Sequence, residues 1–281
     1  MEIIYCTKND YENAKAFLFG LKGYSTLERL ITIDDISKYN SKDLFLSLDK
    51  NMFEDDLKDL EDLLCSLDEY KIAGILFYDL SVLSIAKRLN IKTPLIWNQS
   101  FLVTNYKTCQ FYENDGVSGA VISPVITASE VIDIAKNTNF DLFVPVFGYQ
   151  VMGFSRRKLV SNYFKYINES DNSNYHLMIE RDKKYPIIES AIGSKIYSDE
   201  VLNGIRYINS FKNSGIKYII LTDYMIDSDI FTKISEYYER AVYNNLKDEE
   251  LVELEKKVNN LVNGSTLFLD KETVFKVKKV W

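Results

Sequence analysis

The feature that most restricts the fold of this chain is a regular alternation of short apolar runs with longer amphipathic segments. Apolar runs rich in β-branched and aromatic residues are typical of buried strands, and apolar residues at helical spacing are typical of surface helices. The alternation therefore predicts repeated βα units and a parallel sheet, and eight such units would close a TIM-like (β/α)8 barrel. At 281 residues the chain is long enough for one barrel and a small appendage.

The individual strands and helices follow from the same alternation. Strands are predicted over residues 2–6, 44–48, 74–78, 95–97, 119–122, 142–147 and 218–221, with a weaker one near 25–33. Helices are predicted over residues 10–19, 54–67, 81–90, 103–113, 128–136, 156–166, 200–213 and 227–244. We assign the barrel domain to residues 1–244.

Two segments depart from the alternation. Residues 171–198 hold β-rich runs on either side of a small-residue turn, which predicts a β-hairpin inserted before the last βα unit. Residues 245–281 are assigned to a C-terminal extension, with a charged helix over 247–262 and a strand over 266–279. We expect this extension to pack on the barrel or on a partner.

The net charge of the chain limits the kinds of partner that it is expected to bind. A formal net charge of −7 argues against a sequence-blind nucleic-acid binder, because such proteins contact many phosphates with lysine and arginine. DNA is therefore not an expected partner, although a local basic patch could bind RNA. The chain shows neither the start of a signal peptide nor the ~20 apolar residues that a membrane helix requires, so we expect a cytoplasmic protein without a membrane partner.

The metal-binding residue types are few and scattered. Cys6, Cys65 and Cys109 form no CxxC pair, and His176 is the single histidine. A disulfide framework, a zinc site and an iron–sulfur cluster, which takes four thiolates, are therefore not expected. We predict no metal and no cofactor bound by this chain alone.

Polar residues follow the predicted strands at their C-terminal ends. In a (β/α)8 barrel these ends share one face, and active sites lie there. The residues in question are Asp49, Asp79, Asn98, Gln99, Ser123, Gly148 and Asp223. Each one alone is also a common helix N-cap or turn residue. Together they predict the lining of a pocket.

Residues 141–167 hold the densest group of candidate functional side chains in the sequence. We predict that the strand breaks at Gly148 into a loop, which leads to a hydroxyl and three cations beside a helix N-terminus: Ser155, Arg156, Arg157 and Lys158. This arrangement favours an anionic ligand, with Tyr149 and Phe154 nearby as candidates for stacking on a base. The alternative is that the serine caps the helix and the cations are solvated.

Several motifs resemble peptidase family U32, the collagenase-like peptidases, over residues 44–225. Residues 73–80, AGILFYDL, resemble a family strand that ends in Asp-Leu-Gly, and Gln99 and Asn105 match a family segment with Ser-Thr-Gln and a later Asn. The charged run and Tyr-Pro at 180–187, followed by Gly193, resemble the hairpin of the family.

The signature segment of the family is only partly present. Relatives carry His-Gly, a cysteine three residues later, and then Ser-Gly-Arg-Cys. Phe147, Val151 and Lys158 stand here at the histidine and cysteine positions. Gly148, Ser155 and Arg157 keep the pattern. The chain therefore resembles a short, cysteine-poor member of the family.

The resemblance implies a function in one of two directions. Some relatives are collagen-degrading peptidases, and others hydroxylate RNA pyrimidines, including a tRNA wobble uridine, with prephenate as the hydroxyl source and a cluster on the signature cysteines. Because those cysteines are missing here, the resemblance implies a smaller subunit that supports a larger paralogue. The residues expected to bind prephenate, another small carboxylate or tRNA are Arg156, Arg157, Lys158, Gln99, Asn105 and Asp79. The alternatives are a peptidase with Ser155 as nucleophile and a non-catalytic binding or scaffold barrel.

Overall fold

The secondary structure is that of a computed structural model, which describes residues 1–11, 14–99, 101–171, 173 and 176–271. The strands are β1 Glu2–Cys6, β2 Ala16–Leu21, β3 Leu30–Ile31, β4 Asp43–Leu48, β5 Gly74–Phe77, β6 Leu95–Trp97, β7 Gly119–Val121, β8 Asp141–Ser155, β9 His176–Glu180, β10 Lys183–Glu189, β11 Ser194–Asn203, β12 Tyr218–Thr222 and β13 Gly264–Ser265. The helices are α1 Leu57–Asp68, α2 Leu80–Leu89, α3 Tyr106–Asn114, α4 Ala128–Lys136, α5 Leu159–Ile167, α6 Ile208–Asn213, α7 Ser228–Tyr243 and α8 Asp248–Asn259.

Eight parallel strands close the predicted barrel. Their order around it is β1, β2, β4, β5, β6, β7, β8 and β12, and β12 pairs with both β8 and β1. Every one of these strands contributes to an inner core of Ile4, Ala16, Leu18, Phe45, Leu76, Ile96, Val121, Phe143 and Ile220. A larger outer core fills the layer between the strands and the helices. The TIM-like fold is confirmed.

The seven clear strand predictions are confirmed, six of them to within one residue at either end. The weaker prediction at 25–33 corresponds only to β3, which pairs with β2 off the path of the barrel. The helix prediction at 10–19 is wrong, because none of its described residues is helical and residues 16–19 belong to β2. All six residues of β2 are buried, and Leu18 faces the inner core while Phe17 and Phe19 face the outer core. A strand buried on both faces loses the polar alternation that would separate it from a buried helix.

The loop predicted after Gly148 is also wrong, because β8 continues to Ser155. Gly148 has φ +118°, and here the strand changes its partners from β7 and β12 to β11. Residues 149–155 therefore leave the barrel and join β11, β10 and β9 in an antiparallel sheet, which we call the ribbon. The insertion thus adds three strands to this sheet instead of a single hairpin, and β11 replaces the start of the helix predicted over 200–213.

The C-terminal helix α8 buries Leu251, Leu254 and Val258 in the outer core of the barrel. Beyond it, Leu267–Asp270 is a 3-10 helix where a strand was predicted, and the rest of that prediction lies outside the described residues. The division of the chain at residue 244 stays a prediction. None of the helices in the described part of the chain has the length and apolar character needed to span a membrane.

Candidate functional site at the barrel mouth

The ribbon crosses the mouth of the barrel, at the C-terminal ends of its strands. Lys195 of β11 lies with its Nζ 3.0 Å from Oδ2 of Asp49, the residue that follows β4. β4 and β8 stand on opposite sides of the barrel order, so this ion pair spans the opening. On the same side, the guanidinium of Arg156 lies 3.7 Å from the ring centroid of Phe53. The ribbon is thereby fixed to the loop between β4 and α1.

Two adjoining cavities, of about 160 and 150 Å³, lie between the ribbon and the strand ends. They share five lining residues, which are Leu18, Leu27, Asn98, Val151 and Lys195. The first cavity extends over the inner core to Asp223 and the tyrosines of the ribbon side. Its floor is apolar and its rim is polar, a combination typical of sites for small organic ligands.

Asp49 is a fixed negative charge at this mouth. Burial alone would raise its pKa, but Lys195 and hydrogen bonds from Ser25 and Thr26 outweigh burial and lower the pKa to about 2. The backbone N–H of Thr26 donates to Oδ1 at 2.8 Å, and its hydroxyl donates to Oδ2. Both charges of the Asp49–Lys195 pair are therefore compensated within the protein.

Asp223 follows β12, and its pKa is shifted in the opposite direction to that of Asp49. Its Oδ2 accepts from the Thr7 hydroxyl at 2.6 Å and from the Lys8 N–H at 3.1 Å, and its side chain is buried in the wall of the first cavity. Burial raises its pKa above the ordinary 3.8, and these two hydrogen bonds only partly oppose the rise. A buried carboxyl with raised proton affinity in a cavity is a candidate for proton transfer.

Tyr197 and Tyr224 form a hydrogen-bonded pair on the same wall, with ring centroids 4.9 Å apart. Burial raises the pKa of Tyr197 well above 10 and that of Tyr224 to about 12. Both phenols are therefore neutral near pH 7, and they offer aromatic surface and hydrogen bonds instead of charge.

The family model of peptidase family U32 matches residues 4–275. The chain belongs to peptidase family U32. Among curated proteins, this U32 chain is 24% identical over 288 residues to "tRNA hydroxylation protein P2" of Bacillus subtilis (strain 168), covering 93% of each chain. It is 23% identical over 133 residues to "tRNA hydroxylation protein P1" of the same organism, covering 47% of this chain and 31% of that one. A solved U32 peptidase is 12% identical, with a TM-score of 0.49, covering 79% of this chain and 92% of that one.

The structure brings part of the predicted pocket of this U32 chain together. The predicted residues that line one or both cavities are Asp49, Asn98, Tyr149, Phe154 and Asp223. Ser123 is buried and its hydroxyl accepts from the Val125 N–H at 3.5 Å, while Gly148 lies at the bend of β8 beside Thr222. Ligand binding by this set stays a prediction.

The predicted anion-binding residues do not line either cavity. Asp79 and Asn105 instead cap α2 and α3, accepting from the N–H groups of Ser81 at 2.9 Å and Thr108 at 3.0 Å. Gln99 donates to the carbonyl of Tyr78 at 3.0 Å. These three contacts are the local interactions that such residues make in turns and caps.

The basic turn at the end of β8 is exposed to solvent. Arg156, Arg157 and Lys158 are all exposed, and Arg156 also donates to the carbonyl of Asn51 at 3.5 Å. Ser155 accepts from the Arg157 N–H at 3.2 Å. The cations therefore face solvent, where an extended anion can reach them more easily than a ligand enclosed in the cavities.

Sequence reasoning missed several residues that line the mouth. Thr7 and Tyr224 follow β1 and β12 closely, so the rule that strand ends carry the site would have found them. Lys195 and Tyr197 come from the ribbon, and no local pattern marks them. In the described part of the chain, no group of three or more His, Cys, Asp or Glu residues could hold a metal ion.

The raised pKa of Asp223 gives a pH prediction. Because the folded-state pKa lies above the ordinary 3.8, ionisation of this carboxyl costs stability at neutral pH, and the cost disappears as the pH falls toward 3.8. We expect acidification from about pH 8 to about pH 4 to stabilise the wild type relative to Asp223→Asn, whose side chain does not titrate. Urea unfolding of both proteins over this range measures the difference, and a difference that is constant or reversed in sign contradicts the assignment.

Proposed function

We propose that this chain is the smaller, cluster-free subunit of a cytoplasmic tRNA hydroxylation system and acts with a larger U32 paralogue. The observation that carries this proposal is the match to "tRNA hydroxylation protein P2" across 93% of both chains. The shorter match to "tRNA hydroxylation protein P1", over 31% of its length, supports a longer second component. The mouth cavities give such a subunit a place to bind a small molecule.

The residues of this chain do not fit an iron–sulfur cluster. Phe147, Val151 and Lys158 occupy the histidine and cysteine positions of the signature segment. The three cysteines lie on β1, α1 and α3, and Cys109 is buried in the outer core. Any cluster chemistry in the proposed system therefore belongs to the larger paralogue.

We assign the first mouth cavity to prephenate or another small carboxylate. Its apolar floor of Leu18 and Ile220 suits a ring, and Asn98 lies at its rim as an amide donor. Lys195 and Arg29 add N–H donors beside their ion pairs with Asp49 and Asp10. The exposed turn of Arg156, Arg157 and Lys158 is better suited to tRNA phosphates, because arginine forks bind phosphate and the turn faces solvent. Small ligand and RNA thus have separate sites in this proposal.

The geometry does not favour the peptidase alternative. In the described part of the chain, the Ser155 hydroxyl contacts the Arg157 N–H, whereas His176 pairs with Asp171 at 3.1 Å and packs on Phe164. A serine nucleophile needs a base within hydrogen-bond reach. A non-catalytic scaffold remains the second candidate, since the signature residues are missing, and it predicts no melting shift with prephenate.

Deletion of the gene tests the proposed function. We expect the deletion strain to lose hydroxylated uridine from its tRNA, as measured by mass spectrometry of tRNA nucleosides, and a plasmid with the wild-type gene to restore it. Asn98→Ala, in both cavities, and Arg157→Ala, in the exposed turn, should restore less. An unchanged profile of tRNA nucleosides in the deletion strain would contradict the proposed function.

A matched control separates the site from general effects on the protein. Lys136→Ala removes an exposed cation in the last turn of α4, at the opposite end of the barrel. It should restore hydroxylation fully. With purified protein, Arg157→Ala should reduce the salt dependence of tRNA binding by about one phosphate contact, whereas Asn98→Ala should reduce only the melting shift with prephenate.

A further inference from the structure

The outer edge of the ribbon is an exposed apolar strand. Among the described residues, β9 is the last strand of the sheet and pairs only with β10. Leu177, Met178 and Ile179 are exposed, and Ile179 keeps 67% of its surface in solvent. Proteins usually cover or blunt such an edge, because its free N–H and C=O groups can pair with another strand. The edge is therefore a candidate interface.

The backbone geometry shows which residues offer free groups. A two-residue turn, 181–182, joins β9 to β10 and pairs Glu180 with Lys183. Successive residues of an antiparallel strand direct their N–H and C=O groups to alternate sides. Glu180 and every second residue before it thus face β10. Leu177 and Ile179 direct their backbone groups to the open edge.

We propose that β9 pairs antiparallel with β9 of a second copy of this chain, about a two-fold axis at Met178. In this register, Leu177 lies opposite Ile179 of the second copy, and their free backbone groups bond to each other. His176 lies opposite Glu180, so the apolar residues Leu177, Met178 and Ile179 meet only one another, with polar residues at both ends. The strand is therefore complementary to itself, as a two-fold interface requires.

The neighbouring register toward the turn lacks this complementarity. A shift of the two-fold axis by one residue toward the turn, to Ile179, sets Met178 against Glu180 and Leu177 against Arg181 of the turn. Apolar side chains would then lie against charged ones. In the register centred on Met178, by contrast, Leu177, Met178 and Ile179 face only one another.

Helix α5 lies beside the same edge. Its Phe164 packs on His176 with ring centroids 5.6 Å apart, so α5 covers the face of the ribbon that also carries Met178. A two-fold axis perpendicular to the sheet brings both copies of α5 to one face of the joined ribbons. Tyr163, which packs on Phe164, is exposed on this helix and adds aromatic surface on the same face. The proposed dimer goes beyond the proposed function and does not depend on it.

Sedimentation equilibrium of the full chain tests the dimer. A contact of one short strand and one helix is small, so we expect a weak dimer that forms between about 1 and about 100 μM. Met178→Lys and Met178→Glu each place two like charges face to face on the axis, and each should raise the dimer Kd about tenfold or more. An equimolar mixture of the two variants should restore dimerisation, because lysine then faces glutamate.

A charge placed outside the ribbon is the control for the Met178 variants. Leu102→Lys adds the same charge at an exposed leucine outside the ribbon and should leave the dimer unchanged. Circular dichroism must show that the variants are folded. A wild-type chain that stays monomeric, a dimer insensitive to both Met178 variants, or a mixture that stays dissociated overturns the proposal. So does a monomeric chain that uses this edge only to bind the larger paralogue.

Discussion

Replacing Lys195 with methionine is expected to lower the free energy of unfolding by about 3 kcal/mol at neutral pH. The Lys195 and Asp49 side chains are only 15% and 12% exposed, so the variant leaves a buried carboxylate without its cation. Removing one partner of a buried ion pair is costly for this reason, even where the intact pair adds little stability. The ribbon should also detach from the β4 side of the mouth. Urea unfolding measures the loss, and protease cleavage within the ribbon reports its detachment.

The pH dependence of the same variant has a definite sign. In the wild type, the lowered pKa of Asp49 gives stability that is complete above 3.8 and is lost as the pH falls toward 2. In Lys195→Met, the carboxylate loses the cation that lowered its pKa, so protonation relieves its burial. The stability gap between the two proteins should therefore narrow on acidification. A gap that is constant or widens would contradict this account of the pair.

The double variant Asp49→Asn with Lys195→Met is the control for charge. It removes both ionic groups, so it should be more stable than Lys195→Met alone, because no charge is left buried and unpaired. If the two substitutions instead destabilise additively, the ion pair is not the reason for the loss.

The variant Gly148→Ala is expected to lower the free energy of unfolding by about 3 kcal/mol or to prevent folding. Gly148 has φ +118°, where an L side chain is strained, and a Cβ there would lie 2.7 Å from the carbonyl oxygen of Thr222. The neighbouring strand β12 cannot move away without opening the barrel beside Asp223. Thermal melts and the yield of folded protein measure the effect.

The same strand offers a matched control. Gly153 lies further along β8, and a Cβ there meets no atom within 4 Å. Gly153→Ala should therefore be neutral or slightly stabilising. Equal stability of the two alanine variants would show that the bend at Gly148 does not need glycine.

The strand ends of the barrel were largely predictable, because the apolar and polar residues that define each βα unit are close together in the sequence. The runs that became β4, β5, β6 and β7 are apolar and bounded by polar residues, and Asp49, Asn98 and Asp223 follow strands as the barrel rule requires. β2 was not predictable in this way. Its two faces meet two different cores, so its sequence is uniformly apolar and has no readable period.

The sequence by itself determined the barrel, since the alternation of apolar runs and amphipathic segments is a local property that each unit carries alone. It also determined which side chains stand at the strand ends. Only the tertiary structure decided that β8 continues past Gly148 and that the ribbon crosses the mouth. Lys195 and Asp49 are 146 residues apart in the chain, and their meeting depends on a bend and a sheet that no local pattern encodes. For the same reason, the cations of the turn at 156–158 reached solvent, and Lys195 became the lysine that lines both cavities.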